Sequence, residues 1–125
     1  FFGTAKCGTC HQAPYYTDNL MHNLQVERFY KPQMINGMMA SADGPIKTFP
    51  LRGIKDTPPY MHDGRFNTLA QCINHYRTGV QQSSTLDPQL TNGIQLTDAE
   101  AINIALFLRT LTDSSFLQDT RYSKP

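Results

Sequence analysis

Cys7-Gly8-Thr9-Cys10-His11 is the stretch from which the rest of the chain is read. Two cysteines at this spacing, with a histidine directly after the second, form the C-x-x-C-H attachment pattern of a c-type haem. The spacing has a physical purpose. Both thiols add across the haem vinyl groups as thioethers, which fixes the macrocycle against the backbone. The adjacent imidazole then lies under the iron as its proximal ligand. Cys7 and Cys10 are therefore the expected covalent anchors of one haem c, and His11 its first axial ligand.

Two other chemistries use cysteines in this way. A redox dithiol of the thioredoxin kind sits in a βαβ pattern, and no strand-rich run occurs here. A Cys₃His zinc site would recruit Cys72 and His75 from Cys72-Ile73-Asn74-His75. The 61 residues between Cys10 and Cys72 far exceed the roughly 12–20 of compact zinc modules. Cys72 reads instead as a small buried hydrophobe. Three cysteines leave no closed set of disulfides, so their number points to cofactor chemistry rather than stapling.

A length of 125 residues suits one compact domain, taken as 1–125. Apolar residues make up 39%, which is lean, and a bound macrocycle adds apolar surface for a short chain to wrap. Eleven basic and ten acidic residues leave a net charge of +1, which gives no reason to expect nucleic acid or an anionic membrane as partner. No apolar run approaches the roughly 20 residues of a membrane span. The first residue is Phe1 rather than Met, so a processed or excised piece is expected, its targeting segment gone. Covalent haem attachment takes place outside the cytoplasmic membrane, so the expected location is the periplasm.

Residues 1–6 read as the end of a helix begun upstream. Residues 12–66 hold most of the Pro, Gly, Asn and Met with little periodicity. Ser41-Ala42-Asp43-Gly44-Pro45 is a turn by its chemistry, and Thr57-Pro58-Pro59 forbids helix. So long an irregular stretch suits the wrapping of a cofactor. From Asn67 or Thr68 a helix is expected to run to about Gly79, with Leu69, Cys72, Ile73 and Tyr76 on one face and His75 turned away from it. Thr97-Asp98-Ala99-Glu100 is a capping box opening a second helix, whose stripe is Ile104, Ala105, Leu108 and Leu111. After Thr112 an extended surface tail is expected. The fold class is all-α, a cytochrome c-like set of helices around one haem with long loops.

A six-coordinate iron needs a second axial ligand. Met34, Met38 and Met39 read as gap-fillers in the irregular stretch, and His22 and His62 as hydrogen-bonded loop residues or, equally, as ligands. Met61 follows a proline-rigid loop, as the thioether ligand of many small cytochromes c does. Tyr76 competes with it from the inward face of its helix, where a core tyrosine is the plainer reading. Local chemistry leaves the two open, with Met61 ahead.

The chain resembles the C-terminal haem domain of the bacterial dihaem cytochrome c peroxidases and their methylamine-utilisation, MauG-like relatives. The resemblance rests on residues 2–11, on Phe49-Pro50-Leu51-Arg52-Gly53-Ile54, and on the Thr57-Pro58-Pro59-Tyr60-Met61-His62-Asp63-Gly64-Arg65-Phe66 block. Leu69, Leu96-Thr97 and Phe107-Leu108-Arg109-Thr110-Leu111 complete it, so that it spans nearly the whole chain. It implies a sixth ligand fourteen residues after the motif histidine, which is Tyr76 counted from His62, and so reverses the preference for Met61. It implies a calcium ion between two haem domains, held partly by the carbonyls of Thr57 and Pro59. It further implies electron relay from a small donor protein, a cytochrome or cupredoxin, to a peroxidatic haem that reduces hydrogen peroxide. That haem belongs to an N-terminal domain absent from this chain, so catalysis by this piece alone is not expected. The alternative is a free-standing monohaem electron carrier without enzyme activity.

Overall fold

The computed structural model describes residues 1–25, 33–40 and 45–123, with backbone alone for 33–35 and 38–40. The turn at Ser41–Pro45 lies, but for Pro45, outside the described residues, as do the side chains of Met34, Met38 and Met39.

The first helix, α1, is the single turn Cys7–Cys10. Residues 1–6 are not the end of an earlier helix. The Lys6 amide bonds the Gly3 carbonyl at 2.9 Å, and Lys6 itself is left-handed at φ 53, so no helical run enters Cys7. Sheet is confined, among the described residues, to two antiparallel pairs, an addition to the all-α expectation. Strand β1 (Met21–His22) pairs with β4 (Ile46–Lys47), His22 opposite Ile46. Strands β2 (Gln33–Ile35) and β3 (Met38–Ala40) are joined by Asn36-Gly37, both at positive φ (51 and 77), the geometry of a tight hairpin turn.

Helices predominate elsewhere. Thr68 caps α2 (Leu69–Asn74) in a reciprocal box with Gln71, and a wider π turn continues the helix over His75–Gly79. Thr97 and Glu100 form the expected box at the start of α3 (Asp98–Thr110): the Thr97 amide donates to Glu100 Oε2 at 2.8 Å. The stretch after Thr112 is not simply extended. Asp113 accepts from the amides of Ser115 and Phe116 and starts α4 (Ser114–Gln118), and Asp119 starts a 3₁₀ turn at Thr120–Tyr122. Short acidic side chains satisfy the first amides of each turn, which is enough to coil an exposed segment. No helix among the described residues is long and apolar enough to cross a membrane.

The core is where α2 meets α3. Ile73, Ile104 and Leu108 are buried together with Ala5, and Phe1, Leu51, Ile54 and Leu69 pack around them. Burial of each such Ile or Leu contributes about 1.5–3 kcal/mol. No described side chain is completely shielded, and the best-buried large ones keep 6–8% exposure. The polypeptide alone does not finish its own interior. Backbone bonds draw the loops onto this core: Gly53 N–H reaches the Leu111 carbonyl at 2.9 Å, and Ile94 N–H the Tyr76 carbonyl at 2.8 Å.

The second strap depends on Gly93. It sits at φ +63, and a Cβ there would lie 2.7 Å from the Arg77 carbonyl oxygen. A left-handed non-glycine residue costs about 1–3 kcal/mol before any clash is counted. Gly93→Ala is accordingly expected to lower the denaturation free energy by at least that amount. An unchanged chemical-denaturation midpoint would show that the strap over Tyr76 can yield.

Candidate haem site

The His11 amide bonds the Cys7 carbonyl at 2.9 Å, so the histidine closes the single turn that carries both cysteines. Its ring donates from Nδ1 to the Tyr16 carbonyl, also at 2.9 Å. A carbonyl can only accept, so the neutral ring keeps its proton on Nδ1 and its lone pair on Nε2, as a metal-bound histidine does. Burial favours the neutral ring: desolvation lowers the His11 pKa, against the opposing pull of the Tyr16 carbonyl, Asp18 and the Phe49 carbonyl. The accepting carbonyl is itself held. Tyr16 has left-handed backbone (φ 58), and its ring packs 6.1 Å from Phe1 and 5.9 Å from Phe107 on α3.

Both motif thiols are pushed up in pKa by burial, Cys10 to about 11. Cys72 is pushed to about 11 for the same reason. A redox dithiol needs a depressed pKa to supply its thiolate, so the shift runs against that chemistry. Burial also raises the phenol of Tyr76, and the next contributions come from Cys72, Cys7 and Cys10 in that order. The phenol therefore lies within electrostatic reach of both attachment cysteines. Met61 is partly buried in left-handed backbone (φ 68), inside the loop that Tyr60 and Phe66 close through a 2.7 Å backbone bond. In the same loop Arg65 grips Asp63 through Nε and Nη2 at 2.8 and 2.7 Å and holds that carboxyl below its usual range. Thr57 and Pro59 are both exposed at the surface.

Two features go beyond the sequence reading, which had His22 as a hydrogen-bonded residue without naming its partners. His22 lies between two carboxylates, with Nδ1 2.6 Å from Asp87 and Nε2 2.8 Å from Asp18. Its pKa rises, first through the Asp87 bond, while the Asp18 carboxyl is lowered on balance. Asp87 is remote in sequence, so no local signal exposed this clasp. His75 is buried at 7% exposure, contrary to its expected place off the apolar face. Other segments cover that side of the helix: the Phe66 ring lies 5.8 Å from the imidazole, and the Leu24 carbonyl accepts a bond from it.

Among the described residues, the only group of three metal-ligating side chains within mutual reach is Cys10, Asp18 and His22. Cys72 and His75 do not join it, so the Cys₃His zinc arrangement is not assembled. The donor set suits a covalently held haem instead. Two partly buried thiols and an imidazole with Nε2 available share one turn, and a phenol lies within electrostatic reach of both thiols.

The cytochrome-c peroxidase IdrP2 of Pseudomonas sp. (strain SCT) is 30% identical, over 90% of this chain and 37% of that protein. The methylamine utilization protein MauG of Methylorubrum extorquens is 26% identical, over 89% of this chain and 32% of that protein. The chain is a relative of the MauG and cytochrome-c peroxidase proteins. A crystal structure of a MauG-like protein associated with microbial copper homeostasis superposes with a TM-score of 0.75 at 27% identity, covering 99% of this chain and 48% of that one. No protein-family model matches. The resemblance read from the T-x-P-Y-x-H-D-G block thus holds, and the chain spans about a third of the length of these curated relatives.

The clasp at His22 has a pH signature. The raised His22 pKa contributes stability that is complete below its unfolded value of 6.5 and fades as pH climbs through the folded value. The lowered Asp18 pKa contributes stability present above 3.8 and lost on acidification. The stability difference between the native chain and His22→Leu is therefore expected to be largest between these two values and to shrink on either side. Denaturation midpoints measured across pH check this, and a difference that grows above neutrality would contradict it.

Proposed function

We propose that this chain is a haem c domain that transfers electrons, one half of a dihaem cytochrome c peroxidase-like protein. What supports the reading is that the Tyr76 phenol lies within electrostatic reach of Cys7 and Cys10, the cysteines of the turn whose His11 ring is fixed at Nδ1. When bound, a haem supplies an iron that cycles between ferric and ferrous states. Cys7 and Cys10 hold it through thioethers. His11 presents Nε2 as the proximal ligand, its orientation kept by Tyr16. Tyr76 rather than Met61 provides the sixth ligand, from a helix segment that Ile94 straps in place.

The choice of Tyr76 has electronic consequences. A thioether is soft and favours ferrous iron, whereas a phenolate is hard and anionic and favours ferric iron. Desolvation keeps the free phenol protonated, so its negative charge appears only against a bound cation. A potential well below that of a His/Met cytochrome follows.

In the parent protein, electrons from a small cytochrome or cupredoxin pass through this domain to an N-terminal peroxidatic haem domain. Hydrogen peroxide, two electrons and two protons there give two waters. The exposed Thr57 and Pro59 carbonyls help hold a calcium ion between the two domains, and the protein works in the periplasm. A whole gene product with only one haem would instead make this chain a free-standing carrier.

Two measurements test the reading. Tyr76→Phe is expected to turn the ferric haem high-spin and open it to cyanide, whereas Met61→Leu leaves coordination unchanged. A ferric sulfur-to-iron charge-transfer band in the native domain, lost in Met61→Leu, would overturn the assignment. The isolated domain is also expected to exchange electrons but turn over peroxide feebly. A kcat of roughly 1–1000 per second, ordinary for an enzyme, would show that its own haem is the reactive one.

A further inference from the structure

The clasp at His22 has the parts of a metal site as well as those of a salt bridge. Cys10 Sγ, an Asp18 carboxylate oxygen and a His22 ring nitrogen all lie within 4.8 Å of one another. His22 points Nε2 at Asp18 Oδ2 across 2.8 Å and Nδ1 at Asp87 Oδ2 across 2.6 Å. A carboxylate accepts, so Asp87 fixes a proton on Nδ1 and leaves Nε2 as the nitrogen that can take a cation. In metal sites a carboxylate behind the imidazole serves this purpose, orienting the ring and raising its basicity. Asp18 is oriented too. Its Oδ1 accepts from the Leu20 amide at 2.9 Å, while Oδ2 faces His22. All three side chains are largely shielded from water. A simple ion pair needs neither the second carboxylate nor the neighbouring sulfur.

We propose that His22 Nε2, Asp18 Oδ2 and Cys10 Sγ form a site for one divalent transition-metal ion of the zinc and copper class, beside the haem and separate from its iron. The inference goes beyond the electron-transfer reading and holds whichever residue is the sixth iron ligand. In the haem-loaded protein the Cys10 sulfur is a thioether, which keeps its lone pairs and ligates as a methionine does. Binding exchanges one cation for another. The Nε2 proton shared between His22 and Asp18 leaves to solvent, and the metal ion takes its place between the same two atoms. Two ligands at 2.0–2.1 Å from a tetrahedral ion stand roughly 3.3 Å apart, so the 2.8 Å pair has to open by only about half an ångström. An imidazole, a carboxylate and a sulfur match borderline transition ions. Calcium and magnesium, which take six or more oxygens, would find one carboxylate here. A fourth position is left for water. The ion would tie the attachment turn, through Cys10, to the strand β1 that carries His22.

The test uses the haem-loaded protein with Zn²⁺ as the probe. After incubation and gel filtration, metal analysis is expected to find one Zn²⁺ per chain. X-ray absorption fine structure at the zinc edge is expected to show one sulfur among nitrogen and oxygen neighbours. In calorimetric titrations His22→Leu and Asp18→Asn should each weaken binding at least tenfold. Asp87→Asn keeps an oxygen for the Gln89 amide but removes the charge behind Nδ1, and should weaken it roughly 10–100-fold. Should His22→Leu fail to fold, Asp18→Asn decides, because its amide oxygen still accepts from Leu20. Zn²⁺ held as tightly by the variants as by wild type would overturn the inference. So would a wild type that retains none, or one whose zinc has only nitrogen and oxygen around it. A chain without covalent haem that still binds Zn²⁺ through Asp18 and His22 would overturn the haem reading and leave this inference standing.

Discussion

The Tyr16 carbonyl holds His11 at Nδ1 across 2.9 Å, and much of the chain is arranged to keep that carbonyl still. Tyr16 takes a left-handed backbone conformation, and its ring is packed between Phe1 and Phe107, so a helix near the C-terminal end buttresses a hydrogen bond near the N-terminal end. The same α3 buries Ile104 and Leu108 against Ile73 of α2, which carries Cys72 and leads directly into His75 and Tyr76. A single packing contact between two helices therefore sets both walls of the candidate site. One wall presents an imidazole whose tautomer is fixed, the other a phenol within reach of the motif thiols.

Burial does the electrostatic work here. It keeps Cys7, Cys10 and Cys72 as thiols, Tyr76 as a phenol, and His11 and His75 as neutral rings. Neutral groups are the ones an interior accepts without a counter-charge, and the proton that Tyr76 gives up on ligating a cation makes that binding depend on pH. The part-buried clasp at His22 follows a different rule. His22 is drawn towards its charged form by Asp18 and Asp87, and the clasp ties β1 to the segment that leads into Leu90. Charge is thus used to fasten loops and withheld from the groups of the candidate site.

Much of this was legible locally. The attachment pentapeptide, a helix start at Asn67 or Thr68, the capping box at Thr97, and the inward stripe of α3 all depend on residues within a few positions of one another. Asn36-Gly37 carried an equally local hairpin signal, though the pairing was not expected. What escaped depended on distance or on a departure from ideal geometry. Asp87 meets His22 only in the folded chain, and no pattern around either residue announces it. His75 is buried because Phe66 and the segment at Leu24 cover a side of the helix that its own periodicity leaves outward. Residues 1–6 looked helical, but the left-handed backbone at Lys6 depends on the turn closed by the Gly3 carbonyl. Tyr76 itself was ambiguous on local chemistry and became the favoured ligand only through its spacing from His62.

The central claim is that the polypeptide and its haem are one covalent molecule joined at Cys7 and Cys10. Intact mass spectrometry of the protein under denaturing conditions tests it most directly. The account predicts the mass of the chain plus a single haem, and loss of that increment when both cysteines are replaced by alanine. A denatured wild-type chain with the mass of the polypeptide alone, its haem released, would contradict it.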